Sequence, residues 1–428
     1  MPIFFLKWQV GFSTLIRTVF ARLIWVEFAL LGCVLIHPSP CWSDEPDGGK
    51  ILIEIEDDLA FLKEETVSIA SRYEQPISEA PGNVYVISEE DIRQSGATDL
   101  PTILRRIPGM EVMQTTAADF NVSIRGDNQL VSNKLLVMVN GRSIYVDVQG
   151  TVFWKLLPVT IAEIRRIEVL KGPSSAVYGF NAFDGVINII TKKPKELKRV
   201  QGQFAGGEFG TLQGSAILSQ PLGPVDVSLS VAMDQQNQWR DRNALGFRAY
   251  TFHGQVEHEI TPTTNILLSG GIVDANRFDG LIAGAQAQSN EPAQSFANLS
   301  FKSQALSIQG WWSRFSTKTQ NSVFPTLAPF VATTTLSGSP KLNFESNTYN
   351  VDGQYTYSYG TGNNFNLGVN YRHNTLSSNI VREFTTENRF GLFLHHLWQI
   401  TTATSLWSAP RNLSSGYVRF SSTGGGPA

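Results

Sequence analysis

Residue types that can do chemistry are sparse in this 428-residue chain, and their spacing does not form a reactive site. The six histidines lack the His-Glu-x-x-His spacing of a zinc site. His253 and His258 are five residues apart, so they point to opposite faces of a regular strand. The run at 172–176 lacks the Lys-Ser/Thr pair of a phosphate-binding loop, and no Ser-His-Asp arrangement can be defined. We therefore expect no enzyme, no metal site built by the protein and no cofactor.

The positions of the two cysteines likewise predict that the mature chain has no thiol chemistry. Residues 1–43 have the pattern of an export signal, with a positively charged region, nine apolar residues at 28–36 and then prolines. Cleavage near 41–43 would remove both Cys33 and Cys41, which excludes disulfides, Cys-based zinc sites and thiol catalysis in the mature chain. An uncleaved anchor helix is the alternative interpretation of this segment.

Charge divides the remaining chain into two regions. Residues 44–200 carry 41 charged side chains in 157 residues, whereas residues 201–428 carry 26 in 228, or about 26% against 11%. Average soluble domains contain roughly 25% charged residues, so the second region suits less aqueous surroundings. The net charge of -3 gives no basic surface for nucleic acid.

The low-charge region alternates apolar and polar residues with a period of two. This pattern, clearest at 225–234, 349–359 and 365–372, places one set of side chains on each face of a sheet. The 11 residues of 349–359 suit a transmembrane strand of roughly 9–11 residues. Among the polar residues, His253, Glu257 and Glu259 share one face, which we interpret as the wall of a wet lumen.

The connections between these strands alternate in length. Short turns are expected at 220–224, 261–264 and 360–364, and long polar loops at 235–245, 275–295, 316–345 and 373–387. Short turns at one rim and long loops at the other are typical of outer-membrane barrels. About ten strands are expected between 200 and 404, and a soluble antiparallel sandwich is the alternative.

The charged region contains the clearest local signals. Ser88 and Asp91 can begin a helix that Gly96 ends, and a second helix is expected to begin at 98–101 and end at Pro108-Gly109. Asn140-Gly141, between 135–139 and 143–146, predicts a hairpin with a two-residue type I′ turn. Residues 164–170 and 186–191 are expected to form further short strands.

Four runs in this region agree in order and spacing with a known family. They are SIRG at 123–126, LLVMVNGRSIY at 135–145, IRRIEVLKGPSSAVYG at 164–179 and FDGVINIITKKP at 183–194. These runs resemble the plug domain of TonB-dependent outer-membrane receptors. The resemblance implies an α+β plug domain followed by an all-β antiparallel transmembrane barrel, located in the cell outer membrane.

The residues that carry the plug signature are interpreted as architecture rather than as ligand contacts. They are Arg125, Gly126, Asn140, Gly141, Lys171, Gly172, Pro173, Gly179, Gly185 and Asn188. Gly172, Gly179 and Gly185 suit tight turns or close backbone packing. We expect Arg125 to pair with a carboxylate, because its planar fork suits a buried or interfacial partner. Lys171 stands where the family commonly has Arg.

The resemblance also implies a mechanism and partners. A large substrate binds the outer loops and plug apices, and the periplasmic protein TonB pairs as an added strand with a short segment, the TonB box. The candidate box is Glu65, Thr66, Val67, Ser68, Ile69 and Ala70, which we expect to be extended and upstream of the plug. An ordinary linker is the alternative. The implied partners are TonB, outer-membrane lipid and a metal-chelate substrate.

These predictions give a domain plan. It consists of a signal peptide at 1–43, a periplasmic leader with the candidate box at 44–80, a plug at 81–196, a partial barrel at 197–404 and an aberrant tail at 405–428. Ten strands cannot enclose a plug, since receptors of this kind use about 22 strands, so we interpret the chain as a truncated receptor. The expected function is TonB-dependent import of a ferric siderophore or similar metal chelate. The alternatives are a non-transporting binding or signalling protein and a passive pore.

Overall fold

The structure, a computed structural model, describes residues 64–126, 134–147, 150–179, 181–239, 245–280, 288–322, 343–360, 363–379, 385–401 and 404–407. The predicted signal peptide, both cysteines, residues 44–63 of the leader and residues 408–428 of the tail lie outside the described residues. The chain divides into two units, Met1–Thr66 and Val67–Ala428. Glu64, Glu65 and Thr66 are the described residues of the first unit, and the second contains the rest.

Short elements precede a series of long strands. The short strands are β1 (Thr66–Val67), β2 (Gln75–Pro76), β3 (Asn83–Ser88), β4 (Met110–Gln114), β5 (Phe120–Ile124), β6 (Leu135–Val139), β7 (Arg142–Ser143), β8 (Ile164–Lys171) and β9 (Gly185–Thr191). The α-helices are α1 (Glu89–Ser95), α2 (Leu100–Leu104) and α3 (Ser175–Tyr178). Short 3-10 helices occur at Ile77–Glu79, Trp154–Leu156, Ile161–Glu163, Pro194–Glu196 and Glu208–Gly210.

The helix signals act as predicted. Ser88 caps α1, since its hydroxyl accepts a hydrogen bond from Asp91 N while the Asp91 carboxylate accepts one from Ser88 N, and Gly96 ends the helix with φ 62°. Asp99 caps α2 by accepting from Thr102 N. That helix ends at Leu104, earlier than the predicted end at Pro108-Gly109. The residues that follow Leu104 form isolated turns instead of continuing the helix.

A mixed five-stranded sheet organises the plug. Its order is β3-β8-β9-β6-β7, with β6 and β9 parallel and the other pairs antiparallel. One face is covered by α1, α2 and the β4–β5 hairpin, and the buried core includes Ile87, Ile103, Val137, Ile167 and Ile189. Asn140 (φ 50°) and Gly141 (φ 79°) both have positive φ, as the type I′ prediction requires. The returning strand is β7 alone, shorter than the predicted 143–146.

The long strands form one antiparallel sheet. They are β10 (Val200–Gly207), β11 (Thr211–Leu222), β12 (Val225–Gln236), β13 (Phe247–Thr261), β14 (Thr264–Gly280), β16 (Ala293–Lys302), β17 (Leu306–Ser322), β18 (Asn343–Tyr359), β19 (Asn363–Ser378) and β20 (Thr385–Thr401), with the short pieces β15 (Gln288–Asn290) and β21 (Thr404–Trp407). Ten long strands confirm the expected number. Several extend to 15–17 residues, so the predicted loops at 275–295, 316–345 and 373–387 are shortened at both ends, whereas the predicted loop at 235–245 is shortened only at its start.

The two faces of this sheet have inverted polarity. The side facing the plug buries polar residues such as Ser230, His253, Glu257, Asn350 and Asn366. The opposite side exposes apolar residues, including the cross-strand neighbours Val256, Leu268 and Leu299, and also Val351 and Val369. A soluble sandwich would bury its apolar face, so this polarity supports a lipid-facing wall around a polar lumen. Among the described residues, no helix is long and apolar enough to cross a membrane.

Gly185 is the plug position where we expect substitution to be least tolerated. A Cβ there would lie 2.5 Å from the Leu170 carbonyl oxygen and 2.8 Å from Ile124 Cδ1, and the backbone oxygen can move only if β8 moves. Gly185→Ala should therefore lower plug stability by about 3 kcal/mol, the upper range for overpacking. Amide hydrogen exchange of β9 measures this. Gly202→Ala is the matched control, since its Cβ would meet only Ser215 O at 3.9 Å; equal protection in the two variants would contradict the prediction.

Candidate functional site: the plug segment at 67–73 and the plug–wall contacts

The candidate box is strand only at Thr66–Val67. Within the second unit, residues 69–71 form a turn in which Arg72 N donates a hydrogen bond to Ser68 O at 2.8 Å. Ile69 and Ala70 are buried in an apolar cluster of the plug with Leu136, Met138, Leu170, Ala182 and Val186. The expectation that all of 65–70 is extended and outside the plug is therefore wrong, because the apolar side chains that suggested a strand pack against β6 and β8.

One buried carboxylate holds this segment. The Glu168 side chain is fully buried, and its Oε2 accepts hydrogen bonds from Ser68 N at 3.1 Å and Ile69 N at 3.0 Å. Its Oε1 accepts from Arg166 Nε at 2.8 Å. Tyr178 Oη adds a bond to Ile69 O at 2.7 Å. Side chains therefore satisfy the backbone groups of Ser68 and Ile69.

The barrel wall holds the same segment from its other side. Arg72 pairs with Asp352 at 3.3 Å, and its guanidinium lies 4.6 Å from the centre of the Phe393 ring. Gln354 Nε2 donates to Arg72 O at 2.8 Å, and Asn366 Nδ2 donates to Ser71 O at 3.2 Å. The segment thus forms a joint between plug and wall.

The predicted signature residues shape the plug. Asn140 and Thr191 exchange two hydrogen bonds, at 2.8 and 3.0 Å, and Gly141 N donates to Asn188 Oδ1 at 3.2 Å, so the hairpin turn is tied to β9. Lys171 Nζ donates to Pro108 O at 2.9 Å and lies 3.9 Å from the centre of the Tyr85 ring.

The remaining signature residues occupy turns. Gly172 (φ 124°), Gly179 (φ 74°) and Gly126 (φ 80°) have backbone conformations that favour glycine, and Pro173 lies in the turn before α3. Arg125 differs from its prediction. Its side chain is exposed and pairs with no carboxylate among the described residues, while its backbone N donates to Gly109 O at 2.9 Å. Arg125 adopts the backbone conformation of a turn, with φ 59°.

Ion pairs also join plug and wall. Lys155 pairs with Asp234 at 2.7 Å, and Lys193 pairs with Glu257 at 2.8 Å. Asp147 contacts Arg389 at 3.1 Å and Arg372 at 3.8 Å, and it accepts a hydrogen bond from Asn374 at 2.9 Å. The predicted lumenal face of β13 is confirmed, because Glu257 and Glu259 both meet plug lysines.

An apolar contact lies among these polar ones. Phe153 of the plug stacks on Phe315 of the wall with centroids 4.9 Å apart, and it meets Phe278 edge-on at 5.9 Å. Phe247 and Phe344 extend this buried cluster along the wall. The plug is therefore docked by a dry aromatic contact as well as by charges.

Glu163 and His253 form a buried pair between plug and wall. His253 Nδ1 lies 2.7 Å from Glu163 Oε1, and Thr160 N and Oγ1 donate to Glu163 Oε2 at 2.8 and 2.9 Å. Burial opposes ionisation of Glu163, but the charge of His253 and the hydrogen bonds from His253 and Thr160 outweigh it, so the Glu163 pKa is lowered.

The lowered Glu163 pKa predicts an acid-sensitive docking contact. A carboxyl with a depressed folded pKa contributes stability that is present above its unfolded value, near 4.5, and is lost as pH falls through the folded value. We expect hydrogen exchange at residues 160–164 to accelerate as the pH falls below about 4.5, after correction for intrinsic rates. Glu163→Gln should remove that change, whereas the exposed Glu79→Gln should keep it. The same pH profile in Glu163→Gln would refute the assignment.

Cavities between plug and wall include two that are lined by described residues. The larger, about 490 Å³, separates α1 and α2 from the first wall strands, and its plug side includes Trp154, Leu157 and Ile161. The smaller, about 80 Å³, is lined by Arg72, Asp352 and Arg372 with other polar groups. In the described part of the chain, no three His, Cys, Asp or Glu side chains are grouped to hold a metal ion.

Sequence reasoning missed the residues that anchor the 67–72 segment, namely Glu168, Tyr178, Arg72 and Asp352. Glu168 had a visible signal, because it is a single acid within the apolar strand 167–170. A buried acid of this kind needs hydrogen-bond donors. Its donors lie about a hundred residues upstream, however, and only the fold brings them together.

Comparison with known proteins agrees with this architecture. Residues 76–186 match the family model of the TonB-dependent Receptor Plug Domain. The chain is 41% identical over 127 residues to the vitamin B12 transporter BtuB of Vibrio vulnificus, covering 29% of this chain and 20% of that protein. It is 31% identical over 201 residues to BtuB of Vibrio cholerae, covering 44% of this chain and 32% of that protein.

The fold is shared with solved receptors. The open form of the ferric-catecholate import receptor Fiu from E. coli K12 aligns with a TM-score of 0.59 at 18% identity, over 77% of this chain and 58% of the receptor. The chain thus matches only part of each relative's length. The plug model, the sequence relatives and the shared fold together support a TonB-dependent receptor with a plug domain and an antiparallel β-barrel part.

Proposed function

We propose that the protein imports a metal chelate across the outer membrane, with energy supplied through TonB. The observation that carries this proposal is the segment at 67–72, which plug and wall side chains hold by single hydrogen bonds and one ion pair. Such bonds can be exchanged for the backbone ladder of an added strand without breaking the plug sheet.

The substrate proposal rests on two groups of relatives. The sequence relatives are named as vitamin B12 transporters, and the solved neighbours include siderophore and iron receptors. Ferric siderophores and cobalamin are both large metal chelates, so we propose this class and keep the ferric siderophore as the first substrate to test. The roles of the domain plan, from signal peptide to barrel, are part of the same proposal.

Uptake in whole cells tests the proposal. Cells without endogenous receptors would express the protein and receive iron-labelled siderophores or cobalt-labelled cobalamin, with and without TonB. We expect TonB-dependent accumulation of one labelled chelate. Equal accumulation without TonB would instead favour a passive pore, and binding without accumulation would favour a non-transporting protein.

A matched pair of variants tests the box separately. Thr66→Pro removes a backbone N–H and should abolish accumulation while leaving substrate binding unchanged. Thr66→Val keeps the N–H and the side-chain shape and should transport normally. Normal transport by Thr66→Pro would reject Glu65–Ala70 as the TonB box and leave the transport proposal standing.

A further inference from the structure

Arg142 follows the Asn140-Gly141 turn and points into the plug–wall interface. Its side chain is 2% exposed, and its Nη1 and Nη2 have no hydrogen-bond partner among the described residues. Burial lowers the Arg142 pKa to about 9, and no carboxylate offsets that shift. The plug cations Lys155, Lys193 and Arg72, by contrast, each meet a carboxylate of the wall.

The compensation for this buried charge comes from one aromatic ring. The Arg142 guanidinium carbon lies 3.9 Å from the ring centre of Phe296, which is buried on the plug-facing side of β16. A cation over an aromatic face is attracted to it, but this attraction does not replace the hydrogen bonds that water gives to five N–H groups. The same hairpin meets the wall through Gln309 Nε2, which donates to Asn140 O at 3.1 Å.

A buried charge whose two terminal nitrogens lack hydrogen bonds makes the docked state less favourable than an apolar side chain of the same size would. When the hairpin separates from the wall, water can solvate the guanidinium and that penalty is recovered. We infer that Arg142 is a positioning residue that makes the hairpin at 139–143 easy to detach from the wall. This role in import rests on the proposed function, whereas the ease of detachment does not.

Amide hydrogen exchange of the full chain in outer-membrane vesicles tests the inference. Arg142→Met keeps much of the side-chain length and removes the charge, so the hairpin amides of Asn140 and Ile144 should exchange about tenfold more slowly, as replacement of buried ionic groups by apolar ones predicts. Arg142→Lys keeps a buried cation and should exchange within about threefold of the parent protein. Arg93→Met is the matched control, since Arg93 is exposed and pairs with Glu90, and it should leave the hairpin unchanged.

A second variant covers the case in which Arg142→Met does not assemble. Phe296→Leu removes the ring that compensates the charge, so the hairpin should exchange faster than in the parent. Unchanged or faster exchange in Arg142→Met, or unchanged exchange in Phe296→Leu, would overturn the inference.

Chelate uptake tests the part that rests on the proposed function. An assembled Arg142→Met protein should import the chelate more slowly than the parent at equal abundance and equal substrate binding. Equal uptake would show that hairpin detachment does not limit import. A parent protein that imports neither chelate would reject the proposed function and leave the exchange result intact.

Discussion

Replacing Glu168 with alanine should release the 67–72 segment and reduce plug stability by about 3 kcal/mol or more, as expected when one partner of a buried charged network is removed. The carboxylate accepts two backbone N–H groups and pairs with Arg166, which is itself largely buried. Its loss leaves those donors without their acceptor, and each unsatisfied buried group costs about 1–3 kcal/mol.

Two measurements check this result. Hydrogen exchange at Ser68 and Ile69 should become much faster. Under the function proposed above, a purified periplasmic domain of TonB should also bind the detergent-solubilised protein more tightly, because less of the segment must be detached first. The exposed Glu79→Ala should change neither quantity. Unchanged exchange at Ser68 and Ile69 would show that Glu168 does not hold the segment.

Replacing Phe153 with alanine should have a comparable effect on docking of the plug. The ring is buried between Phe315 and Phe278 of the wall, so its removal leaves a cavity where a dry contact existed. Phenylalanine-to-alanine changes in cores cost about 3–5 kcal/mol. A denaturant titration that is monitored by hydrogen exchange of the plug should show the plug loosening at a lower denaturant concentration than in the parent protein.

A plug phenylalanine outside the interface gives the matched control. Phe183 is 62% exposed, and its ring centre lies 5.9 Å from the Nζ atom of Lys134. Phe183→Ala should therefore leave the denaturant concentration at which the plug loosens unchanged. If Phe153→Ala loosened the plug no more than Phe183→Ala does, the aromatic contact would not contribute to docking.

Local features of the fold could be predicted because short-range chemistry determines them. The capping pair Ser88 and Asp91 and the positive φ values at Asn140-Gly141 depend on residues within a few positions of one another. The period-two pattern indicated the wall because each strand places its polar residues towards the plug and its apolar residues outward.

The joint that the 67–72 segment forms between plug and wall could not be predicted from the same patterns. The Glu168 contact with Ser68 spans 100 residues, and the Arg72 contact with Asp352 spans 280, so neither leaves a local pattern. The predicted strand ends were wrong because each long strand continues past its apolar residues into a polar segment. In the sequence, such a polar segment looks like a loop. Arg125 pairs with no carboxylate among the described residues, and its backbone has the φ of 59° that the turn requires.

The position of β3 at the edge of the plug sheet has a mechanical consequence. Its ladder has one partner, β8, and the Asn83–Lys171 end of that ladder is the end reached first from the 67–72 segment. Tension applied upstream of Asn83 and directed across the strand axis would load the β3–β8 pairs one after another, as in unzipping, whereas tension along the axis would load them together, as in shear. β3 can therefore peel away while the β8-β9-β6 ladders stay closed.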